Sequence, residues 1–529
     1  MKALTGTGQK VRLILRLDRV RLPLWILAVL GIVVASASAV QGLYDTPQAR
    51  AGYALTAQSP AAIVLSGPPQ AVDSVGGITV FEINLTSAVG VALMAIFLTI
   101  RHTRAEEEAG RTELLSAGVL GRHAPLTAAL VVVGGGSLLL GLLLGVCLVA
   151  LGLPAPGSLL FGAGVAMLGL FFTTLAAVAA QVGAHARAAL GIALAVLGAA
   201  WALRSLGDVR GNVLSWLSPV GWTQATRPFG EERWWPLALP LIAALVLAVL
   251  AVVLERHRDL GGGLIPSRPG APRASRALSS VLGLAWRQQG LTVFWWSVGL
   301  LLMGMLFGAV ADDIARMLDD TPVLVAALGP DAERDLIAAY FGMVLAILAL
   351  VAACFTVSSV HRLYGEEGAA RAEYVLSTPT ARPRWQFGWL AVTAVGTVVV
   401  LLATGAGVAI TDALVSGTAE RAGGTLGATL AYLPAVGVIG GLAATLHGWL
   451  PRLSALAWVV LAACFVISWL GRLLGFPSWV MNLSPFTITP QLPLEEMDWS
   501  AVAGLTALAV GLVVLAAVGL RRRDIGADG

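Results

Sequence analysis

Two short hydrophilic segments repeat one pattern of acidic and basic side chains in an otherwise apolar chain. The first charged segment spans residues 104–122, and the second charged segment, 260 positions later, spans residues 364–382. The matching residues are Glu106, Glu107, Arg111, Glu113 and Arg122 in the first, and Glu366, Glu367, Arg371, Glu373 and Arg382 in the second.

In each charged segment a glutamate precedes an arginine by four residues. A helix would therefore pair Glu107 with Arg111 and Glu367 with Arg371, and each pair stabilises a helix by about 0.2–0.5 kcal/mol. An apolar patch follows the charges in each copy. We predict a short amphipathic helix that contacts a partner present in two copies. The alternative interpretation is a solvated hairpin whose ion pairs are internal.

These charges do not support nucleotide hydrolysis by the chain itself. A P-loop needs a glycine-rich turn that ends in Lys followed by Ser or Thr, because the lysine reaches the phosphates. The chain has two lysines, Lys2 and Lys10, and neither follows such a turn. The six histidines lack a cysteine or carboxylate at metal-ligand spacing. We therefore expect no catalytic, cofactor-binding or metal site in this chain.

The composition indicates that lipid surrounds most of the chain. The sequence is 57% hydrophobic and 12% charged, whereas an ordinary soluble domain is about 25% charged. An apolar run of about 20 residues can cross the hydrocarbon core as a helix. Twelve such runs lie at 22–41, 80–100, 125–151, 157–183, 188–206, 235–255, 291–311, 337–360, 386–411, 425–449, 454–475 and 500–520. We predict an all-α polytopic membrane protein with twelve transmembrane helices.

The twelve runs form two tandem six-helix halves. Besides the charged segments, Leu217-Ser218-Pro219 recurs as Leu483-Ser484-Pro485 ahead of the last run of each half. We assign residues 1–255 to the first half and 278–529 to the second. Residues 256–277, rich in Gly, Pro, Ser and Arg, form a flexible cytoplasmic linker in this interpretation. Repeated halves are typical of transporters whose pathway lies between them.

The charge distribution predicts the orientation. An even number of spans places both termini on one side, and with those termini inside, most of the 34 Lys and Arg residues lie on the inside. We therefore predict an inner-membrane protein with both termini and both charged segments in the cytoplasm. The sequence ASASA at 35–39 leaves open a cleaved secretory signal, although its removal would break the symmetry of the halves.

A basic stretch precedes the first span. Arg12, Arg16 and Arg19 fall within a narrow arc of a helix, which could lie along the inner leaflet with its arginines on lipid phosphates. Residues 278–290, which contain Arg287, would be the second-half copy. The alternative is an ordinary positive flank of each span.

The spans themselves carry few charges. Ion-coupled carriers usually place ionisable side chains deep in the membrane, yet here Glu82, Arg204 and Asp412 fall near span ends. This distribution weakens a proton-coupled twelve-span multidrug antiporter, which stays the main alternative. The acidic run between Asp312 and Asp320, in an outer loop, leaves open a membrane enzyme that handles lipid-linked sugars.

With a charged segment between the second and third spans of each half, the chain resembles the permeases of ABC exporters of the ABC-2 type. It is similar in particular to the fused subfamily described as exporters of polyketide antibiotics, or tetronasin-type transporters. The resemblance covers essentially the whole chain: two six-span halves, a helix before each half and the Glu-Glu…Arg-x-Glu element. It implies an ABC-2, type V exporter-like architecture.

The resemblance also implies partners. Residues 101–122 and 361–384 would be coupling helices, each seated on one of two copies of a separate ABC ATPase that binds ATP and Mg²⁺. The residues implied in these contacts are Glu106, Glu107, Arg111 and Glu113 on one ATPase, and Glu366, Glu367, Arg371 and Glu373 on the other. Membrane lipids and a hydrophobic small-molecule cargo, such as an antibiotic, drug or lipid, would be the remaining partners, with no nucleic acid.

Overall fold

The computed structural model describes residues 3–523 except 59, 117, 119, 260, 266–271, 310–335 and 471–475. Within these residues every regular element is helical. The acidic run between Asp312 and Asp320 lies outside the described residues. The chain divides into two compact units, residues 1–270 and 271–529, and the border between them falls inside the linker at 256–277.

The first unit contains twelve described α-helices. They are α1 (Thr7–Leu17), α2 (Arg21–Leu43), α3 (Pro47–Thr56), α4 (Pro60–Ser66), α5 (Val75–His102), α6 (Arg104–Glu108), α7 (Arg111–Ser116), α8 (Ala124–Ala150), α9 (Ala155–Val182), α10 (Ala186–Arg210), α11 (Pro219–Gln224) and α12 (Ala238–Arg256).

The second unit contains ten described α-helices. They are α13 (Val281–Ala309), α14 (Leu336–Gly368), α15 (Arg371–Leu376), α16 (Arg382–Ser416), α17 (Ala422–Ala431), α18 (Leu433–Trp449), α19 (Leu456–Leu470), α20 (Ser478–Met481), α21 (Pro485–Ile488) and α22 (Trp499–Arg522).

Twelve of these segments are long and apolar enough to cross a membrane, which confirms the twelve-span prediction. Spans 1–6 are α2, α5, α8, α9, α10 and α12, and spans 7–12 are α13, α14, α16, α17 with α18, α19 and α22. Helices suit lipid because each backbone N–H and C=O finds its partner within the segment. The chain is therefore an all-α, twelve-span membrane protein.

Side chains cap the N-terminal ends of spans 2 and 12. The Ser74 hydroxyl accepts a hydrogen bond from the Gly77 N–H at 3.0 Å where span 2 begins. The Asp498 carboxylate accepts from the N–H groups of Ser500 and Ala501 where span 12 begins, at 2.9 and 3.2 Å. These caps satisfy N–H groups that a helix cannot pair internally, and the hydrogen bond from the Ser500 hydroxyl lowers the pKa of Asp498.

The two units pack their third spans differently. In the first unit, spans 3 and 4 touch through glycines, so that a Cβ added to Gly141 would lie 2.3 Å from the Gly162 carbonyl oxygen. In the second unit, span 9 packs most extensively against span 7, where a Cβ on Gly407 would lie 2.1 Å from the Leu301 carbonyl oxygen. The repeated sequences therefore build two bundles with different internal contacts.

The predicted helix before each half forms only in the first. α1 is separate from span 1, because the chain turns at Asp18, whose carboxylate binds His102 and lies 3.4 Å from Arg101 Nε. At the offset that relates Arg16 to Arg287, the neutral Gln289 replaces Asp18 and stays inside α13. The prediction of a second inner-leaflet helix at 278–290 is therefore wrong: Arg287 lies on the exposed face of span 7 itself.

Candidate functional site

Neither charged segment is one continuous helix. In the first, α6 ends at Glu108 and α7 begins at Arg111, with Gly110 between them at φ 71°. In the second, α14 runs to Gly368 and α15 begins at Arg371, with Ala370 at φ 55°. A residue in the left-handed conformation thus recurs at the same position of each segment. Glycine adopts this conformation without strain, whereas the Cβ of alanine makes it sterically unfavourable.

The predicted pairing of Glu107 with Arg111 and of Glu367 with Arg371 is wrong, because the turn changes the partner of each arginine. Arg111 donates to Glu106 Oε1 from Nε at 3.1 Å and from Nη2 at 2.9 Å. Arg371 donates to Glu366 Oε1 in the same way, at 3.0 and 2.7 Å, and these hydrogen bonds raise the pKa of Arg371. The four-residue spacing favours the second glutamate only on an unbroken helix. The turn instead brings the first glutamate to the arginine.

The second glutamate of the first charged segment points into the protein. Glu107 accepts from Arg258 Nη1 at 2.8 Å through one carboxylate oxygen and from Arg258 Nη2 through the other. Arg104 Nη1 also donates to Glu107, at 2.7 Å. Arg258 Nε in turn donates to the Gln181 side chain at 2.6 Å. A two-point pairing between Arg and a carboxylate is both strong and directional, so it fastens this segment to the residues that follow span 6.

Glu367 of the second charged segment has the corresponding position. Its carboxylate accepts from Arg523 Nη2 at 2.5 Å, and His447 Nε2 lies 3.2 Å from its other oxygen. His447 stands where Gln181 stands in the first half, at the offset that relates Leu217-Ser218-Pro219 to Leu483-Ser484-Pro485. Arg523 directly follows span 12 as Arg258 closely follows span 6. In both halves the second glutamate is tied to the end of the last span.

The last arginine of each charged segment strengthens the same tie. Arg122 Nη2 donates to the carbonyl oxygens of Glu255 at 2.8 Å and Arg258 at 3.1 Å. Arg382 Nη1 donates to the carbonyl oxygen of Arg523 at 2.8 Å. Because guanidinium groups satisfy carbonyls that a helix end leaves open, each segment is joined to the last span at two separate points.

Two arginines and two glutamates of the charged segments face outwards. The side chains of Arg111 and Arg371 are 58% and 53% exposed, and Glu113 and Glu373 are exposed as well. Tyr374 is 78% exposed. Of the eight residues carried over as partner contacts, these two arginines and two glutamates are accessible to a partner. The four others, Glu106, Glu107, Glu366 and Glu367, lie mainly inside the protein.

Several residues of this site had no sequence signal of their own. Buried Lys10 of α1 lies 3.8 Å from Glu106, and Arg258 and Arg523 are more than 150 positions from the glutamates that they bind. Only the correspondence between Gln181 and His447 could have been found, by extending the repeat offset to span ends.

The three arginines of the basic stretch before span 1 lie on the protein surface. Arg12 and Arg16 of α1 are exposed, and so is Arg19, which lies beyond the end of α1 at Leu17 rather than on the same helix as predicted; Ile14 is fully buried against span 3 beside Ala128. One face of α1 therefore packs on the bundle while its arginines remain accessible.

Comparisons with known proteins agree with this architecture. The family model described as the C-terminal domain of the multidrug efflux system permease Rv1217c matches residues 8–256 and 278–521. Over 531 aligned residues the chain is 38% identical to the multidrug efflux system permease protein Rv1217c of Mycobacterium tuberculosis (strain ATCC 25618 / H37Rv). That alignment covers 98% of this chain and 95% of the relative.

Proposed function

The chain belongs to the family of multidrug efflux permeases represented by Rv1217c, and on that premise we propose that it is the membrane subunit of an ATP-driven ABC exporter. Two copies of a separate ATPase subunit, which bind ATP and Mg²⁺, dock on the two charged segments. We propose that it is an ABC-2 permease of the fused, tetronasin-type subfamily. Its cargo is a hydrophobic compound such as an antibiotic, drug or lipid.

One observation gives this proposal its main support. Each half presents an exposed charged surface, at Arg111 and Glu113 or at Arg371 and Glu373, on a segment whose buried glutamate is tied to the last span. A force applied to such a surface is transmitted to a membrane helix, because the contacts between them are charged and buried. A solvated hairpin with only internal pairs would have no such connection.

The mechanism follows from differential binding. An ATPase dimer that closes around ATP draws its two docking sites together, and the permease conformation that fits the closed dimer gains in population. The charged segments transmit that preference to spans 6 and 12 through Glu107 and Glu367. Nucleotide hydrolysis reopens the dimer and restores the first conformation.

The orientation in the proposal is that of an inner-membrane protein with both termini in the cytoplasm. The exposed arginines of α1 and both charged segments then lie in the cytoplasm, where ATP is present. The excess of basic residues on this side of the membrane agrees with the positive-inside rule.

The two docking surfaces differ in their apolar contact. The second offers Tyr374, 78% exposed, at the position where the first has Leu114. Exposed tyrosines bury a large area when a partner covers them. We therefore infer that the two ATPase subunits meet unequal surfaces, whether or not the subunits are identical.

A proton-coupled antiporter is the second candidate, and one observation favours it. Asp18 and His102, each 2% exposed, form a buried acid–base contact between α1 and the end of span 2, and such pairs can carry protons in membrane carriers. Uncouplers separate the two candidates: they abolish antiport, whereas ATP-driven efflux in inverted vesicles continues.

The experiment that tests the leading function reverses charge at the exposed surface without touching the buried pairs. In the double variant Glu113→Arg and Glu373→Arg, we expect the ATPase subunits to be lost on purification and cargo-stimulated ATP hydrolysis to fall at least tenfold. The matched control, Glu420→Arg with Glu496→Arg, changes two other exposed glutamates and should leave both readouts unchanged. Normal ATPase retention and efflux in the first double variant would remove the coupling role.

A further inference from the structure

The second unit contains an apolar groove that the proposed function does not use. It has a volume of about 650 Å³ and lies between spans 8, 9, 10 and 12. Its walls include Phe387, Val395, Val399, Gly437 and Val510. This volume lies in the range of about 300–1,000 Å³ that is typical of ligand sites.

In the second unit, spans 9 and 10 approach closely at Gly405, where an added Cβ would lie 2.6 Å from Thr429 Oγ1, and the groove lies on one side of this contact. At the offsets of the repeat, Gly141 of span 3 corresponds to Leu401 of span 9, and Gly162 of span 4 corresponds to Ala428. Ala166 likewise corresponds to the much larger Tyr432, which is fully buried. Small residues allow helix backbones to touch and larger side chains prevent it, so the backbone contact of Gly141 with Gly162 is not repeated at Leu401 and Ala428, and the groove is lined by residues 387–399 of span 9 and 433–441 of span 10.

The polar groups in the groove are already bonded. The hydroxyl groups of Thr356 and Thr397 lie 2.8 Å apart, and Thr393 bonds to Ser359 at 2.7 Å. Thr506 donates to the Val502 carbonyl oxygen at 2.7 Å. None of the residues that line the groove is charged. An occupant therefore needs to be apolar over the length of the groove, since a polar group there would lose water without gaining a partner.

Two exposed arginines stand at one end of the groove. Arg384 is one helical turn before Phe387 on span 9, and Arg521 is two turns after Val514 on span 12, so each arginine continues the helix face that lines the groove. The ends of these two spans are joined, because Arg382 donates to the Arg523 carbonyl oxygen at 2.8 Å. Arg384 and Arg521 are therefore carried by two joined helix ends at the same end of the groove.

We infer that this groove binds an anionic phospholipid, with an acyl chain between spans 9, 10 and 12 and the phosphate on Arg384 and Arg521. An uncharged wall matches the hydrocarbon chain, and two cations at the mouth match a negative headgroup. A neutral hydrophobic cargo would gain nothing from the arginines, which is why the charge at the mouth favours the lipid.

The test uses the full chain in nanodiscs of phosphatidylcholine that contain a small fraction of phosphatidylglycerol with a photoreactive acyl chain. We expect cross-links to map to residues 382–416 and 499–523. In the double variant Arg384→Gln with Arg521→Gln, labelling should fall by about fivefold for each arginine, the contribution of one basic residue to anionic-lipid binding. The matched control, Arg187→Gln with Arg276→Gln, removes two exposed arginines that do not line the groove and should label normally.

A second variant blocks the groove itself. Ala394 is exposed in the groove wall, so Ala394→Trp should fill the space and abolish labelling while leaving the headgroup site intact. Equal labelling by a photoreactive phosphatidylcholine would refute the inference, because the arginines would then have no role. Displacement of the probe by an uncharged hydrophobic drug would assign the groove to cargo, and absence of labelling would mean that protein covers it. No step requires ATP or an ATPase subunit, so the result is independent of the proposed function.

Discussion

Replacing Arg523 with Gln tests the tie between the second charged segment and span 12. Arg523 Nη2 is 2.5 Å from Glu367, whose side chain is 5% exposed, and His447 Nε2 lies 3.2 Å from the other oxygen of this carboxylate. Removing one partner of a buried ion pair costs about 3–5 kcal/mol, since the other charge stays buried. We expect Arg523→Gln to lower the free energy of unfolding by an amount in that range.

The first half provides the comparison. Glu107 is bound by Arg258 and also by Arg104 at 2.7 Å, so Arg258→Gln leaves a guanidinium in place. The loss should then be nearer that of one charged hydrogen bond, about 1.5–3 kcal/mol. The two halves are predicted to respond unequally to the same substitution because one carboxylate has two arginines and the other has one.

The assay is a double-mutant cycle on the purified protein in mixed micelles. Unfolding is measured for Arg523→Gln, Glu367→Gln and both together, with Arg522→Gln as the matched control, since Arg522 lies beside it and stacks on Trp449 at 5.9 Å. We expect a coupling energy of about 3 kcal/mol between Glu367 and Arg523. A coupling energy near zero, or an equal loss in Arg522→Gln, would refute the tie. Transport per ATP hydrolysed should fall in Arg523→Gln even where ATPase subunits remain bound.

Two further predictions concern backbone positions. Ala370→Gly should stabilise the protein by about 1 kcal/mol, and Gly110→Ala should destabilise it by a similar amount, because both residues have the left-handed conformation that disfavours a Cβ. Thermal unfolding of the two variants measures this difference. Shifts of the same sign in the two variants would contradict the prediction. Gly141→Leu should prevent spans 3 and 4 from packing, since its Cβ would lie 2.3 Å from the Gly162 carbonyl oxygen. The control is Gly135→Leu, because a Cβ at Gly135 has nothing within 4 Å. Equal yields of folded protein from the two variants would show that the close contact between spans 3 and 4 is not needed.

The twelve spans follow from sequence alone because each is a local property. Whether an apolar run crosses the bilayer depends on its length and on the transfer of its own side chains, so the predicted runs and the observed helices agree. The duplication was visible for a similar reason, since one offset relates Glu106 to Glu366 and Arg122 to Arg382.

The partners of the charged side chains depend on the tertiary structure. The spacing of Glu107 and Arg111 predicts a helical pair, but one left-handed residue turns Arg111 towards Glu106 and leaves Glu107 to Arg258. That choice depends on where spans 4 and 6 end in space, which no local pattern records. A buried carboxylate takes whichever cation the fold brings to it, because leaving it unpaired costs more than any surface pair contributes.

The packing of the two halves was likewise decided by contacts between distant residues. The repeat predicts two six-helix halves, yet the backbones of spans 3 and 4 touch at Gly141 and Gly162, whereas spans 9 and 10 approach at Gly405 and Thr429 instead. Helix packing in a membrane depends on the steric fit of facing side chains. A few substitutions at facing positions therefore change which helices meet, although the hydrophobicity that determines the spans hardly changes.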